Sequence, residues 1–211
     1  MLLYAITSRR LLPGDEAARR DRLVQLARLW AQTGVDFIQV REKDLPLTEL
    51  QPLAARIVEA VRSANGAPRQ TRVLINGPAQ LALDAGADGV HLHANAGSAA
   101  LRAASQVYDR ASRELTVSAA CHSLGEIRQA NGATLLLFSP VFEKVTGQGM
   151  SRGQGIAALR AAVEQAQPAP VLALGGVTEK NAAACVQAGA AGIAAIRLFL
   201  GDEWRSLAQL A

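Results

Sequence analysis

The segment Gln39-Val40-Arg41-Glu42-Lys43 carries an amide and two cations at alternate positions. In a strand such positions share one face. A guanidinium and an ammonium beside a neutral donor suit capture of an anion, a phosphorylated small molecule above all; an exposed charged loop would explain the same residues. A second candidate lies in Gly175-Gly176-Val177, followed later by Ile196-Arg197, because paired glycines let main-chain N–H groups close on a phosphate. Of the three histidines, His91 and His93 form an H-x-H pair that would face one side as metal ligands do, but no third ligand stands near them in the chain. His122 offers different chemistry: an imidazole that titrates near neutrality can take a proton and return it. A capping role before a helix is its plainer account. Cys121 adjoins His122, but adjacent side chains point apart, so a thiolate–imidazole pair is not expected. Neither Cys121 nor Cys185 has the spacing of a metal or redox motif, and both are expected reduced.

These residues need elements to hold them, and the chain repeats one arrangement four times. A helical stretch ends on Gly34, Gly86, Gly132 or Gly189 and runs almost at once into an apolar segment. The spacing is that of two βα units, so the repeat reads as four quarters of a closed (β/α)8 barrel. The odd-numbered strands are Leu3–Thr7, Val73–Asn76, Leu115–Ala119 and Val171–Leu174. Their unbroken apolar character fits a buried parallel sheet. Leu23, Leu26, Ala27 and Trp30 mark the first helix, and Leu50, Leu53, Ala54, Ile57 and Val61 the second. Pro78–Asp84 predicts a short third crossover, Thr178 an N-cap for the seventh helix with Asn181 behind it, and Asp202–Leu210 a closing helix. A barrel of this kind places its chemistry at the C-terminal strand ends, with phosphate held after strands seven and eight. The Gln39–Lys43 segment, His122, Gly175-Gly176 and Ile196-Arg197 all fall at such ends.

Bulk properties narrow the function classes. With 211 residues, half of them hydrophobic, and no break in composition, the expectation is a single TIM-barrel domain over 1–211. The net charge of +4 comes largely from scattered arginines such as Arg19, Arg20, Arg22 and Arg28, which suit a solvated helix face. Aromatic residues make up 4% of the chain and there is no basic run, so nucleic acid is not expected as a partner. No stretch is long and apolar enough to span a membrane, and the N-terminal Met1-Leu2-Leu3-Tyr4 enters a strand without a positive leader. A cytoplasmic protein is expected. Whether copies of the chain associate stays open.

Six segments, at the strand ends expected of them, carry a family resemblance: Tyr4-Ala5-Ile6-Thr7, Gln39-x-Arg41-x-Lys43, Ile75-Asn76, Ala85-Gly86-Ala87-Asp88-Gly89-Val90-His91-Leu92, Ser139-Pro140-Val141-Phe142 and Ala173-Leu174-Gly175-Gly176-Val177. In order and spacing they resemble the thiamine phosphate synthase/TenI superfamily, over nearly the whole chain. The resemblance implies a phosphorylated thiazole as the small-molecule partner. It adds Asn76 and Ser139 to Gln39, Arg41, Lys43, Gly175, Gly176, Ile196 and Arg197 as substrate-binding residues. Arg197 stands where relatives tend to carry serine, and could clamp the phosphate or obstruct it.

The departures bear on which branch this is. Thiamine phosphate synthases carry Asn-Asp-Arg after the third strand, a Gln and an Asp soon after His-Leu-Gly at the fourth, and a Thr-Lys pair in the sixth loop. Here those places hold Asn76-Gly77-Pro78, His93-Ala94-Asn95-Ala96 and Thr146-Gly147. Both aspartates that would hold magnesium are missing, and Mg²⁺ needs oxygen ligands, usually carboxylates with substrate phosphates. Departure of pyrophosphate depends on that metal. The TenI branch, whose activity is thiazole tautomerisation, tolerates the losses. Its third-strand exit resembles Asn76-Gly77, its sixth loop Phe142-Glu143 and its fifth exit His122-Ser123. The resemblance implies aromatisation of a carboxylated dihydrothiazole phosphate by moving a proton from a ring carbon to an exocyclic carbon, with His122 carrying it. No cofactor and no metal are then expected, magnesium entering only if the chain is a synthase. A synthase joining hydroxymethylpyrimidine pyrophosphate to thiazole phosphate and a non-catalytic phosphate-binding barrel are the alternatives.

Overall fold

In the computed structural model, which describes residues 1–64, 66, 70–146 and 149–208, eight parallel strands close into a barrel. They are β1 (Leu2–Ile6), β2 (Phe37–Val40), β3 (Arg72–Ile75), β4 (Gly89–Leu92), β5 (Thr116–Cys121), β6 (Leu135–Phe138), β7 (Val171–Leu174) and β8 (Gly192–Ala195). Each pairs with its neighbours, and β1 closes the ring by pairing Leu2 with Gly192 and Ala5 with Ala195. Helices α1 (Glu16–Gln32), α2 (Leu47–Ala64), α3 (Ala79–Asp84), α4 (Gly97–Arg110), α5 (Leu124–Gln129), α6 (Gly155–Ala166), α7 (Glu179–Gln187) and α8 (Trp204–Ala208) follow the strands in turn.

The fourfold repeat has a physical basis at the barrel floor. Gly34, Gly86, Gly132 and Gly189 all have positive φ, between 78° and 96°, and turn the chain from helix into strand. Two residues on, Asp36, Asp88 and Thr134 each accept the amide of an odd strand with their side chains. The bonds are Leu3 N–H to Asp36 Oδ2 at 2.8 Å, Val73 N–H to Asp88 Oδ2 at 2.7 Å and Val117 N–H to Thr134 Oγ1 at 2.9 Å. The fourth quarter has Ala191 there and uses backbone alone, Ala191 N–H donating to Val171 O.

Several boundaries differ from those expected. The even strands begin three residues after the glycine, because the intervening residues form the turn and clamp just described. Between β6 and α6 a short antiparallel hairpin, Lys144–Thr146 with Gly149–Ser151, is added, which helical and strand periodicity did not reveal. The last helix starts at Trp204, two residues later than expected, and its expected end at Leu210 lies outside the described residues. Leu26 is half-buried, whereas Leu23, Ala27 and Trp30 are fully buried; the α2 stripe is buried throughout. The barrel is sealed by Trp30, whose Nε1 donates to Phe199 O at 3.1 Å, with Phe199 packed against Trp204. Among the described residues no helix is long and apolar enough to cross a membrane.

Inside the barrel, tilted strands bring side chains of alternate strands to one height. The strand register puts Tyr4, Leu74, Ser118 and Leu172 in one layer, Gln39, His91, Leu137 and Ala194 above it, and Ile6, Asn76, Ala120 and Leu174 above those. The interior is therefore divided. The polar members, Tyr4, Gln39, Asn76, His91 and Ser118, all come from β1 to β5 and their ends, among Ile6, Leu74 and Ala120, while β6 to β8 contribute leucines and an alanine.

Candidate active site

At the exits of β1 and β2 the chain builds a rigid platform under its cations. Arg9 is 4% exposed and reaches three carboxylates: Glu16 through Nε at 2.7 Å, Glu42 through Nη1 at 3.1 Å and Asp44 through Nη2 at 2.8 Å. Buried Glu42 also accepts the Thr7 hydroxyl at 2.6 Å, and Thr7 Oγ1 in turn accepts the Arg41 amide at 2.9 Å. The Arg9 guanidinium holds the Asp44 carboxyl below the usual carboxylate range. Alternation persists beyond the end of β2, so Glu42 turns into this network while Arg41 and Lys43 stay with the mouth. Arg41 is half-buried and Lys43 exposed. Burial lowers the Arg41 pKa against the opposing charge of Glu42, and the charge of Arg41 lowers that of Lys43, which marks two cations close to one another. Below them Gln39 is 1% exposed, and among the described residues its Nε2 has no hydrogen-bond partner. A buried amide donor left unpaired is the mark of a place meant for a ligand or water.

The floor of the mouth holds a hydrogen-bonded column. His91 Nδ1 lies 2.8 Å from Ser118 Oγ, and Ser118 Oγ lies 2.8 Å from the Tyr4 hydroxyl. Burial, and then the charges of His93, Arg41 and Lys43, bring the His91 pKa down to about 3. His93 is exposed on the rim, so the H-x-H pair is split between floor and surface.

His122 follows β5 directly and is exposed, with its ring turned across to the exit of β6. Its Nδ1 is 2.8 Å from Ser139 O and 3.1 Å from Ser139 Oγ. A carbonyl oxygen can only accept, so Nδ1 carries a hydrogen, and in the neutral ring Nε2 is then the nitrogen with the lone pair. Gln154 Nε2 donates to the same carbonyl at 2.9 Å, and Glu126 accepts the His122 amide. Ser123, not His122, caps α5. Cys121 is buried, and burial pushes its thiol up to about 12 and that of Cys185 to about 11; both are free.

At the exits of β7 and β8, Gly175 and Gly176 have φ of +91° and +67°, and side chains there would strike backbone. A Cβ on Gly175 would stand 2.8 Å from Pro140 Cα, and one on Gly176 would stand 2.4 Å from Glu143 O. A bulky residue at Gly176 would thus disturb the loop after β6 as well as any anion site, which makes such a variant a poor probe of binding alone. Ile196 packs on the interior cluster, whereas Arg197 is exposed at the start of a 3₁₀ turn, Arg197–Leu200.

At the exits of β3 and β4 stand half-buried Asn76, then Gly77, and exposed His93 and Asn95. These offer amide oxygens and an imidazole but no carboxylate, a donor set that does not fit magnesium. Among the described residues no three His, Cys, Asp or Glu side chains converge as metal ligands. Of the β6 loop residues singled out in the sequence, Glu143 is exposed and Gly147 lies outside the described residues. Sequence reasoning missed Arg9, Ser118, Tyr4 and Gln154. The strand alternation of Tyr4 and Ser118 with apolar inward residues was the available signal for two of them.

Comparisons with known proteins show which family the chain belongs to. A family model described as thiamine monophosphate synthase matches residues 3–199. The putative thiamine-phosphate synthase of Geobacter sulfurreducens is 35% identical over 207 residues, covering 95% of this chain and 87% of that one. The thiamine-phosphate synthase of Methanoculleus marisnigri is 34% identical, covering 95% and 88%. Among solved structures, the thiamine phosphate pyrophosphorylase from Pyrococcus furiosus superimposes with a TM-score of 0.75 at 26% identity, covering 99% of this chain and 92% of that one.

Proposed function

The chain belongs to the thiamine monophosphate synthase family, and from that premise we propose that it is a tautomerase-type member, a metal-independent isomerase acting on a carboxythiazole phosphate in the cytoplasm. The observation that carries the reading is the 2.8 Å contact between His122 Nδ1 and Ser139 O, which leaves Nε2 as a base at the rim of the mouth. In this mechanism Nε2 removes the proton from the ring carbon. The ring double bonds shift, and the imidazolium returns the same proton to the exocyclic carbon. Atoms and charge balance without oxidant, cofactor or metal. Main-chain amides around Gly175, Gly176 and Ile196 hold the phosphate, Arg41 and Lys43 the carboxylate, and Asn76, Gln39 and Ser139 the ring edge. Arg197, next to Ile196 in the chain, supplies a further cation at the phosphate end.

The names of the similar proteins favour a second reading, the synthase that joins hydroxymethylpyrimidine pyrophosphate to thiazole phosphate. Against it stand Asn76, Gly77, His93 and Asn95, where no carboxylate can neutralise a departing pyrophosphate through magnesium. Parallel assays of the purified protein separate the two. Aromatisation of the dihydrothiazole, unaffected by EDTA, is the expected result. A robust, EDTA-sensitive condensation would put the synthase first, and product binding without either turnover would leave a phosphate-binding barrel.

A further inference from the structure

The column beneath the mouth settles the state of His91 by counting hydrogens. Tyr4 is fully buried, and among the described residues Ser118 is the one hydrogen-bond partner of its hydroxyl. If Ser118 donated to Tyr4, the phenol hydrogen would be buried with no acceptor, and if both Tyr4 and His91 donated to Ser118, the serine hydrogen would be. All three groups are satisfied in one arrangement: Tyr4 O–H donates to Ser118, Ser118 O–H donates to His91 Nδ1, and the ring hydrogen sits on Nε2. Nδ1 points down to the layer below, so Nε2 points up, toward the remaining 8% of the residue that is open. Among the described residues Nε2 has no hydrogen-bond partner there.

We propose that Tyr4 and Ser118 are positioning residues that hold His91 as the neutral Nε2–H tautomer, a fixed hydrogen-bond donor to an acceptor atom on the heterocycle of the substrate. That the ligand is a heterocycle rests on the function proposed above; the tautomer does not. His91 then has the opposite tautomer from a neutral His122, one leaving N–H and the other a lone pair at Nε2. The deep burial of His91 and the facing His93, Arg41 and Lys43 keep its ring uncharged at neutral pH, so it donates without adding a third cation to the mouth.

Histidine ¹⁵N spectra of the intact protein test this without any assumption about turnover. The Nε2–H pattern for His91 in the wild type is the expected result; an Nδ1–H pattern or an even mixture overturns the proposal. In Ser118→Ala the preference should collapse, and Ser118→Thr, which keeps the hydroxyl, should restore it. An unchanged pattern in Ser118→Ala removes the serine from the role. Tyr4→Phe gives a milder perturbation should the alanine variant fold poorly, and it should weaken the preference. Titration with the aromatic carboxythiazole phosphate should shift the His91 Nε2–H resonance, and Ser118→Ala should bind it about 3- to 10-fold more weakly. Binding that leaves that resonance still overturns the donor role. A protein with the expected tautomer and no tautomerase activity would refute the function proposed above while leaving the assignment of His91 intact.

Discussion

Two imidazoles border the mouth, and their surroundings prepare them differently. His122 is exposed and oriented by a carbonyl, which leaves a lone pair free for proton transfer, so replacing it tests the chemistry alone. His122→Ala should lower kcat by about 10²- to 10⁴-fold, the usual contribution of a positioned acid–base group, with little change in substrate binding. Arg41→Ala and Lys43→Ala should instead raise KM with smaller effects on kcat, and steady-state kinetics reads the contrast directly. Full turnover in His122→Ala would remove it as the proton carrier. His91 makes a different prediction, about stability. Its folded pKa near 3 lies below the value of about 6.5 that it regains on unfolding. Between those values the unfolded chain binds a proton that the folded chain refuses, so stability falls as pH drops below about 6.5, by ~1.4 kcal/mol per pH unit. The depressed carboxylates Asp44 and Glu16 also lose their contribution on acidification, but below the usual carboxylate range and largely screened by solvent. Urea titrations of wild type and His91→Gln between about pH 7 and 5 should show the slope and its loss. Equal slopes would mean that His91 is not held neutral.

At the scale of elements, what the sequence reveals depends on how local its cause is. The helix ends at Gly34, Gly86, Gly132 and Gly189 are set within a few residues of chain, and each was visible as a glycine before an apolar run. The exits of β2, β5, β7 and β8 were visible for the same reason, since strand alternation carries Gln39, Arg41 and His122 to the mouth from next-door residues. The hairpin after β6 has no such signal in its polar, glycine-containing sequence. The networks that orient the site were equally hidden: Glu42 meets Arg9 across 33 positions and Tyr4 meets Ser118 across 114, pairings set by barrel closure rather than by a motif. The Arg9 platform joins the exits of β1 and β2, so its loss should act on both. Arg9→Met leaves the buried Glu42 carboxylate without its cation, which should cost about 3–5 kcal/mol. It should also raise KM, because the Arg41 amide hangs from Thr7 and Thr7 from Glu42. Denaturant midpoints and KM should therefore move together in this variant, whereas Arg20→Ala on the surface of α1, paired to Glu16 and Glu49, should move neither by much. A large stability loss with KM unchanged would show that the platform does not position Arg41.

For the molecule as a whole, the divided interior decides how a ligand can lie. Donors crowd the side built by β1 to β5, while β6 to β8 supply Leu137, Leu172, Leu174, Ala194 and Ile196. The two features proposed to bind anions also stand apart, the cation pair at the exit of β2 and the glycine loop at the exits of β7 and β8. A substrate with a negative group at each end and a ring between would span the mouth, its polar edge toward Gln39 and His91 and its apolar edge toward the leucines. The arrangement predicts two separable anion sites. Crystals grown in sulfate should show one ion on main-chain N–H groups near Gly175, Gly176 and Ile196, where this fold usually binds phosphate, and a second between Arg41 and Lys43. The double variant Arg41→Ala/Lys43→Ala should lose the second ion and keep the first, and the dihydrothiazole substrate should still bind through its phosphate, only more weakly. If both ions vanish together, or if sulfate gathers on Arg197 instead, the mouth does not hold its ligand from two sides and the orientation of the ring argued here fails with it.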